Sequence, residues 1–221
     1  MPTEDVERAG FAWVKAVLSP DECTALGGRL HGASSGPGAR ELISQGWCAA
    51  LADRLRRHPA LSPAIGSDAV ALQCLFFEKS AEHNWLVAVH QDLGFPVHER
   101  VAHPDWRAWS VKGGTPYVQP PVAVLEQLMA VRLHLDPCGP EDGPLWVVPG
   151  THRQGIVAPQ AAVELRPHEL PCPAQPGDAL LMRPLLLHRS SKATGQSRRR
   201  VLQFVFGPRH PPHGVRWRHT A

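Results

Sequence analysis

The chain has no excess of charge of either sign: 23 lysines and arginines stand against 20 aspartates and glutamates. Neither nucleic acid nor an anionic membrane is therefore expected as an obligate partner. It is also short of cysteine pairs. Cys23, Cys48, Cys74, Cys138 and Cys172 are odd in number and contain no C-x-x-C, which argues against a zinc knuckle and a complete disulfide framework and points to a reducing compartment. No stretch approaches the roughly 18 consecutive apolar residues of a membrane span. The start, Met1-Pro2-Thr3-Glu4-Asp5, lacks the basic opening of a leader peptide. These absences together read as a soluble, cytoplasmic protein.

What the sequence does have is proline, 23 residues in a chain of 221 with a single Tyr. Many short segments broken by turns suit an all-β body better than a helical bundle, and the length suits one domain. The expected division is a helical N-terminal part, about 1–65, and a barrel, about 66–210. Gly10 to Val17 reads as a strand. Ser19-Pro20-Asp21-Glu22 then offers an N-cap, a proline at the first helical position and a capping-box glutamate, so a helix starts near Pro20. A second helix is expected from about Arg40 to Arg57, with Leu51 and Leu55 on one face beside Trp47. Short β runs follow: Val70 to Phe77, Trp85 to Val89, Leu128 to Leu135, Leu145 to Val148, Ala179 to Met182, Leu185 to Leu187 and Val201 to Phe206. Turn signals such as Pro149-Gly150 and Pro176-Gly177-Asp178 join them antiparallel. The fold class is an all-β core with flanking helices, a jelly-roll or cupin-like double-stranded β-helix barrel. Leu93 to Gln127 has no clear period and reads as a long loop: a lid, a binding loop, a structural insertion or disorder.

His90-Gln91-Asp92 closes one of these strands. In extended chain, residues i and i+2 share a face, so the imidazole and carboxylate can converge on one ion. A histidine from a distant strand would complete a two-His, one-carboxylate set with three open positions, as oxygen-activating iron(II) requires. His188, after Leu185-Leu186-Leu187, is placed to do that. His134-Leu135-Asp136 also closes a strand, and the tripeptides alone do not separate the two. Beyond His188 comes Arg198-Arg199-Arg200, at the head of an apolar strand. A guanidinium near the metal suits a dianionic cosubstrate whose far carboxylate needs a bidentate donor; the bland alternative is a solvated basic run.

The stretch Glu141-Asp142-Gly143-Pro144-Leu145-Trp146-Val147-Val148-Pro149-Gly150-Thr151-His152-Arg153 resembles the signature block of the phytanoyl-CoA dioxygenase family of iron(II)/2-oxoglutarate oxygenases. Gly10 to Leu26, Glu78 to Asp92 and Pro176 to Leu181 resemble further blocks of that family in the same order. The resemblance implies iron(II) held by His90, Asp92 and His188, with 2-oxoglutarate and dioxygen as cosubstrates. It implies Arg199, eleven residues past the distal histidine, and Ser190 as contacts of 2-oxoglutarate, with Lys79 and Gln91 as further contacts. Arg198 and Arg200 should then point the other way. Where many members carry a tryptophan, this chain has Arg132, which invites a carboxylate or phosphate. The function expected is hydroxylation of a small carboxylate-bearing metabolite, with Arg132, Trp106, Trp109 and Tyr117 facing it. A metal enzyme that does not use 2-oxoglutarate, or a non-catalytic ligand-binding barrel, are the alternatives.

Overall fold

The computed structural model describes residues 2–30, 38–195 and 198–221. Its strands are β1 (Phe11–Val14), β2 (Gly38–Ala39), β3 (Ala69–Lys79), β4 (Val87–His90), β5 (Phe95–Pro96), β6 (Arg107–Lys112), β7 (Thr115–Gln119), β8 (Met129–His134), β9 (Leu145–Val147), β10 (Leu170–Cys172), β11 (Ala179–Met182), β12 (His188–Ser190) and β13 (Arg199–Pro208). The helices are α1 (Pro2–Ala9), α2 (Pro20–Arg29), α3 (Gly46–Arg57), α4 (Ser62–Ile65), α5 (Val122–Leu125) and α6 (Pro159–Glu164).

Six strands form the major sheet in the order β1-β11-β8-β13-β3-β2, and four form the minor sheet in the order β10-β9-β12-β4. Among the described residues the strand pairs of both sheets are antiparallel. This is the jelly-roll architecture, with mostly β structure and helices outside it. The major sheet is buried on both faces, so its strands read as continuous apolar runs while their side chains still alternate. On β8, Met129, Val131 and Leu133 pack outward against Leu51, Leu55 and Ile65 of the helical layer, together with Leu202, Phe204 and Phe206 of β13. Ala130 points the other way, into a core shared with Leu145 and Val147 of the minor sheet. Arg132 and His134, on the same face as Ala130, are therefore carried into the space between the sheets.

The capping box is present as the sequence suggests: Ser19 Oγ accepts from Glu22 N at 3.2 Å and Glu22 Oε2 accepts from Ser19 N at 2.8 Å. Other expectations need correction. The helix expected from Arg40 begins only at Gly46, because Glu41 makes a bridge to Cys74 and Leu42 and Ile43 are buried in a single 3-10 turn. Helix α1 escapes the periodicity argument because Val6 is its one buried residue. Leu185 to Leu187 is not a strand. It is a turn whose leucines plug the core, with Leu186 N bonded to Arg183 O at 2.9 Å and Leu187 N to Thr151 Oγ1 at 3.0 Å. The segment 93–127 is not structureless either. It folds into a third small sheet, β5-β7-β6, followed by α5. The five cysteines are free and buried. Among the described residues no helix is long and apolar enough to cross a membrane.

The turn before β11 ties the two halves of the fold together. Gly177 O accepts from Val17 N at 2.8 Å and Leu18 N at 3.2 Å, and Asp178 accepts from Lys15 Nζ at 2.8 Å and Ala16 N at 3.2 Å. Gly177 has φ +86°, and a Cβ there would stand 2.1 Å from Leu18 O. Left-handed backbone alone costs an L-residue about 1–2 kcal/mol, and the clash adds to it. Gly177→Ala is accordingly expected to lower stability by at least ~2 kcal/mol, read as a shifted urea midpoint with an unchanged slope.

Candidate metal centre

Strand pairing brings the central residues together. β4 and β12 are antiparallel neighbours in the minor sheet, and their register sets His90 directly opposite His188. The ring centroids lie 4.3 Å apart. Two residues beyond His90 the chain is still held, by Asp92 N bonding to Pro184 O at 2.9 Å. His90 Nε2 is 3.7 Å from Asp92 Oδ1, and His188 Nε2 is 3.8 Å from Asp92 Oδ2. One ligand atom from each residue therefore falls within 4.8 Å of the others.

The tautomers are set by the backbone. His90 Nδ1 lies 2.9 Å from Ala88 O, and His188 Nδ1 lies 2.9 Å from Leu186 O. A carbonyl can only accept, so each Nδ1 carries the proton and each Nε2 is left with its lone pair toward Asp92, the state a metal needs. Burial disfavours the charged form of His188 and takes it down to about 4. Burial would raise the Asp92 carboxyl, but His188, His90 and a hydrogen bond from Gln203 outweigh it and hold the group well below the usual carboxylate range. His90 is desolvated too, and the Asp92 contact more than offsets this, so its pKa rises. A deprotonated carboxylate between two imidazoles is a donor set that fits a divalent transition ion.

Beside these groups lies a cavity lined also by Arg132, Ser190, Arg199, Gln203, Phe77 and Trp85. Arg199 is 2% exposed and Lys79 1%. They face each other across the β13–β3 register. Arg199 Nη1 donates to Gly143 O at 2.8 Å. Lys79 Nζ donates to Ser190 Oγ at 2.9 Å and to Ser191 O. Arg132 Nη1 donates to Gln203 Oε1 at 2.8 Å. The Nε–H groups of both arginines are buried without a partner. Among the described residues none of these three cations forms an ion pair. Desolvation, then Arg199 and Arg132, bring Lys79 down to about 7, and desolvation with Arg199 brings Arg132 to about 9. Buried positive charge with free donors is the mark of a site for an anion.

Arg198 and Arg200 point away from the cavity, paired with Glu78 and Asp136. Asp136 is thereby committed, and His134 is buried 5.7 Å from Trp13 with no partner on either nitrogen, so the second His-x-Asp gathers no ligand set. Gln91 faces opposite to its neighbours, as an i+1 residue in extended chain must. Its Nε2 donates to Gly155 O at 2.8 Å and Leu185 O at 2.6 Å, and its Oε1 accepts from Val157 N at 2.9 Å. Trp106, Trp109 and Tyr117 are not among the residues that line the cavity. Trp106 packs 6.1 Å from Trp217, Trp109 Nε1 donates to Trp106 O, and Tyr117 is buried under Lys112 Nζ. Sequence reasoning passed over Gln203, whose Nε2 donates to Asp92 Oδ2 at 2.9 Å. Its signal was a lone amide in the apolar run Val201 to Phe206.

Size alone would mislead. A depression of about 500 Å³, larger than the cavity of about 80 Å³ beside His90, Asp92 and His188, lies over α2 beside Arg198 and Arg200, where the guanidiniums are neutralised. A second possible ligand group, His103, Asp105 and His213, lies on the surface. Its imidazoles stack 3.7 Å apart with planes only 19° from parallel, so their lone pairs do not converge.

The comparisons bear on the family and the fold. Residues 6–201 match the model of the phytanoyl-CoA dioxygenase (PhyH) family. Among solved structures, HygX from Streptomyces hygroscopicus with iron bound superposes with a TM-score of 0.66 at 17% identity, over 94% of this chain and 85% of that one. EctD from S. alaskensis in its apoform gives 0.67 at 17%, over 93% and 75%. SnoN, a non-heme alpha ketoglutarate dependent epimerase from nogalamycin biosynthesis, gives 0.66 at 18%, over 94% and 79%. At such identities these likenesses speak for the fold. A search of curated proteins gives no match. The family model covers most of the chain, and the chain belongs to the phytanoyl-CoA dioxygenase family.

Proposed function

We propose that the chain is an iron(II)- and 2-oxoglutarate-dependent dioxygenase that hydroxylates an unactivated C–H bond of a small, carboxylate-bearing metabolite, releasing succinate and carbon dioxide. The observation that carries this reading is the meeting, in one cavity, of a two-His, one-carboxylate set and buried cations that lack an anionic partner. His90 and His188 through Nε2, with Asp92, would hold iron(II) and leave three positions open. Iron, 2-oxoglutarate and dioxygen together supply the oxidation; the chain supplies placement and exclusion of water. HygX has been crystallised with nickel, 2-oxoglutarate and hygromycin B bound, which favours the same cosubstrate here.

Arg199 would take the far carboxylate of 2-oxoglutarate, with the Ser190 hydroxyl beside it and Lys79 as a second cation. Gln91 is assigned a different task, holding the 155–157 loop against the 185 turn through its three hydrogen bonds. Iron(II) and two guanidiniums outweigh Asp92 and the cosubstrate dianion by one positive charge, and by more when Lys79 is protonated. The free Nε–H of Arg132 is where an acidic group of the substrate would balance that charge. A small substrate suits this better than a long acyl thioester. Five buried free thiols suit a reducing compartment, and we place the protein in the cytoplasm.

One rival shares the site. SnoN is described as an epimerase, so a reaction that returns hydrogen and adds no hydroxyl, with an added reductant such as ascorbate supplying the two electrons that the substrate then does not, is the alternative outcome. A screen of small carboxylates and amino acids with iron(II) and 2-oxoglutarate, followed by succinate release and product mass, separates the two. Added oxygen supports hydroxylation, unchanged mass with succinate supports epimerisation, and no succinate on any substrate counts against 2-oxoglutarate chemistry.

Asp92→Ala and His188→Ala are each expected to abolish succinate formation and the binding of one equivalent of metal, with far-ultraviolet circular dichroism unchanged. Arg199→Ala should raise the 2-oxoglutarate requirement about 10- to 100-fold, the loss of a charged hydrogen bond of roughly 1.5–3 kcal/mol. Arg198→Ala, whose guanidinium lies on Glu78, should leave it nearly unchanged. Lys79 adds a pH dependence of known sign. Its ammonium, the form that binds a dianion, is lost as pH rises through about 7, so 2-oxoglutarate affinity should fall by roughly tenfold between pH 6.5 and 8.5. Lys79→Met should bind more weakly at pH 6.5 and lose that slope.

A further inference from the structure

We propose that Arg132 and Gln203 form a relay that sets which oxygen of Asp92 faces the metal position. The proposal rests on the metal reading above. The two residues are register partners, Gln203 on β13 directly opposite Arg132 on β8. Both are buried, at 3% and 5% exposure. A guanidinium has only donors, so the amide oxygen of Gln203 must turn toward it, at 2.8 Å. That leaves the amide nitrogen pointing the other way, where it donates to Asp92 Oδ2 at 2.9 Å. The orientation of the amide, ambiguous in most proteins, is fixed here by its neighbour.

The consequence falls on the carboxylate. The torsion that swings it is soft, with no sharp rotamer of its own. Each oxygen has an imidazole nearby, Oδ1 at 3.7 Å from His90 Nε2 and Oδ2 at 3.8 Å from His188 Nε2, but Oδ2 also accepts from Gln203 and so has a lone pair committed that Oδ1 keeps for an ion. Ligation through one oxygen keeps a third coordination position open, whereas a carboxylate free to turn could close it by binding through both. A leucine at 203 would remove the donor. A leucine at 132 would remove what fixes the amide, letting it present its oxygen to Asp92 and repel it. Arg132 is thus a positioning residue toward the metal as well as a candidate contact for substrate, and the same guanidinium serves both through different nitrogens.

The sign of the effect separates this relay from simple electrostatics. Removing a buried positive charge near a cation site should strengthen cation binding by Coulomb's law alone; the relay requires that it weaken. The test is titration of the metal-free full chain with cobalt(II), read by calorimetry and by the visible absorption of the bound ion. Gln203→Leu and Arg132→Leu should each weaken binding about 10- to 100-fold, the usual range for a group that orients a metal ligand, and change the cobalt spectrum. Arg132→Lys, which keeps a donor toward the amide, should recover most of the affinity. The double variant should be no worse than Gln203→Leu, because Arg132 acts through Gln203. Gln203→Glu, close to isosteric, removes the N–H that Asp92 accepts while adding negative charge that Coulomb's law alone would turn into tighter cation binding; the relay requires weaker binding here too. Wild-type affinity in Gln203→Leu and Gln203→Glu, tighter binding in Arg132→Leu, or additive losses in the double variant would each overturn the relay. His188→Ala is the separate control: if it binds cobalt(II) as the wild type does, the metal reading itself is wrong and the relay falls with it.

Discussion

The pairing of β4 with β12 is the constraint on which the site depends. A three-residue strand, His188–Ser190, lies between β9 and β4, and its register decides whether two imidazoles meet. A slip of one residue would turn His188 to the other face and put Arg189 opposite His90. What prevents the slip is packing. Leu185, Leu186 and Leu187 are buried at 1%, 0% and 0% exposure in the turn just before the strand, and Gln91, one residue past the end of β4, donates to Leu185 O. The apolar turn and the glutamine between His90 and Asp92 thus act on one thing, the alignment of His188 with His90.

The same alternation that builds the core builds the chemistry. Along β13, Leu202, Phe204 and Phe206 face the helical layer, and Arg199 and Gln203 face the cavity. Along β8, the inward row is Ala130, Arg132 and His134. A strand in the middle of a sheet buried on both faces would ordinarily carry apolar residues in both rows. Substituting arginine and glutamine there puts polar groups in low dielectric, which costs stability unless each finds a partner. Arg132 and Gln203 are each other's first partner, and Asp92 completes the chain. The arginine Nε–H groups remain unsatisfied, so the protein carries a cost that an anionic ligand would offset.

Much of this was legible before the structure. The capping box marks α2 because its side chains solve a local problem, the orphan amides of a helix start, that depends on no tertiary context. The longer strands of the major sheet are legible because their β-branched and apolar runs are bounded by turn residues, as at Gly66-Ser67-Asp68 before β3, Asp136-Pro137 after β8 and Pro176-Gly177-Asp178 before β11. Spacing offers His90 and Asp92 only as one pair beside His134 and Asp136, and it is the resemblance that chooses between them and joins His188 to the first. Other features fail for physical reasons. The leucines at 185–187 are as apolar as a strand, and nothing local says that their backbone turns. Helix α1 buries one residue, so it has no stripe to read. The small sheet is poorly patterned because β6 is largely exposed along its length, leaving no buried row to alternate with a solvated one. Trp106 and Tyr117 looked like lid residues because the segment looked like a loop; once it folds as a sheet, their bulk is buried within it.

Arg132 is where sequence and structure bear on each other most closely. As a departure from a family pattern it suggests only that the ligand environment differs. Its structural setting narrows the difference, because one side of the guanidinium is already used to fix Gln203 and through it Asp92. An acidic group arriving at Arg132 would therefore meet a cation in a fixed position, with no flexible arm to reposition. Holding the guanidinium still beforehand removes ordering cost from the binding step and makes the site selective for where the acid lies relative to the reacting carbon. A tryptophan at this position could pack against a substrate but could not both brace a metal ligand and neutralise a charge. On the proposed reading Arg132 would serve the recognition chemistry and the support of the metal together, and Arg132→Trp would disturb both.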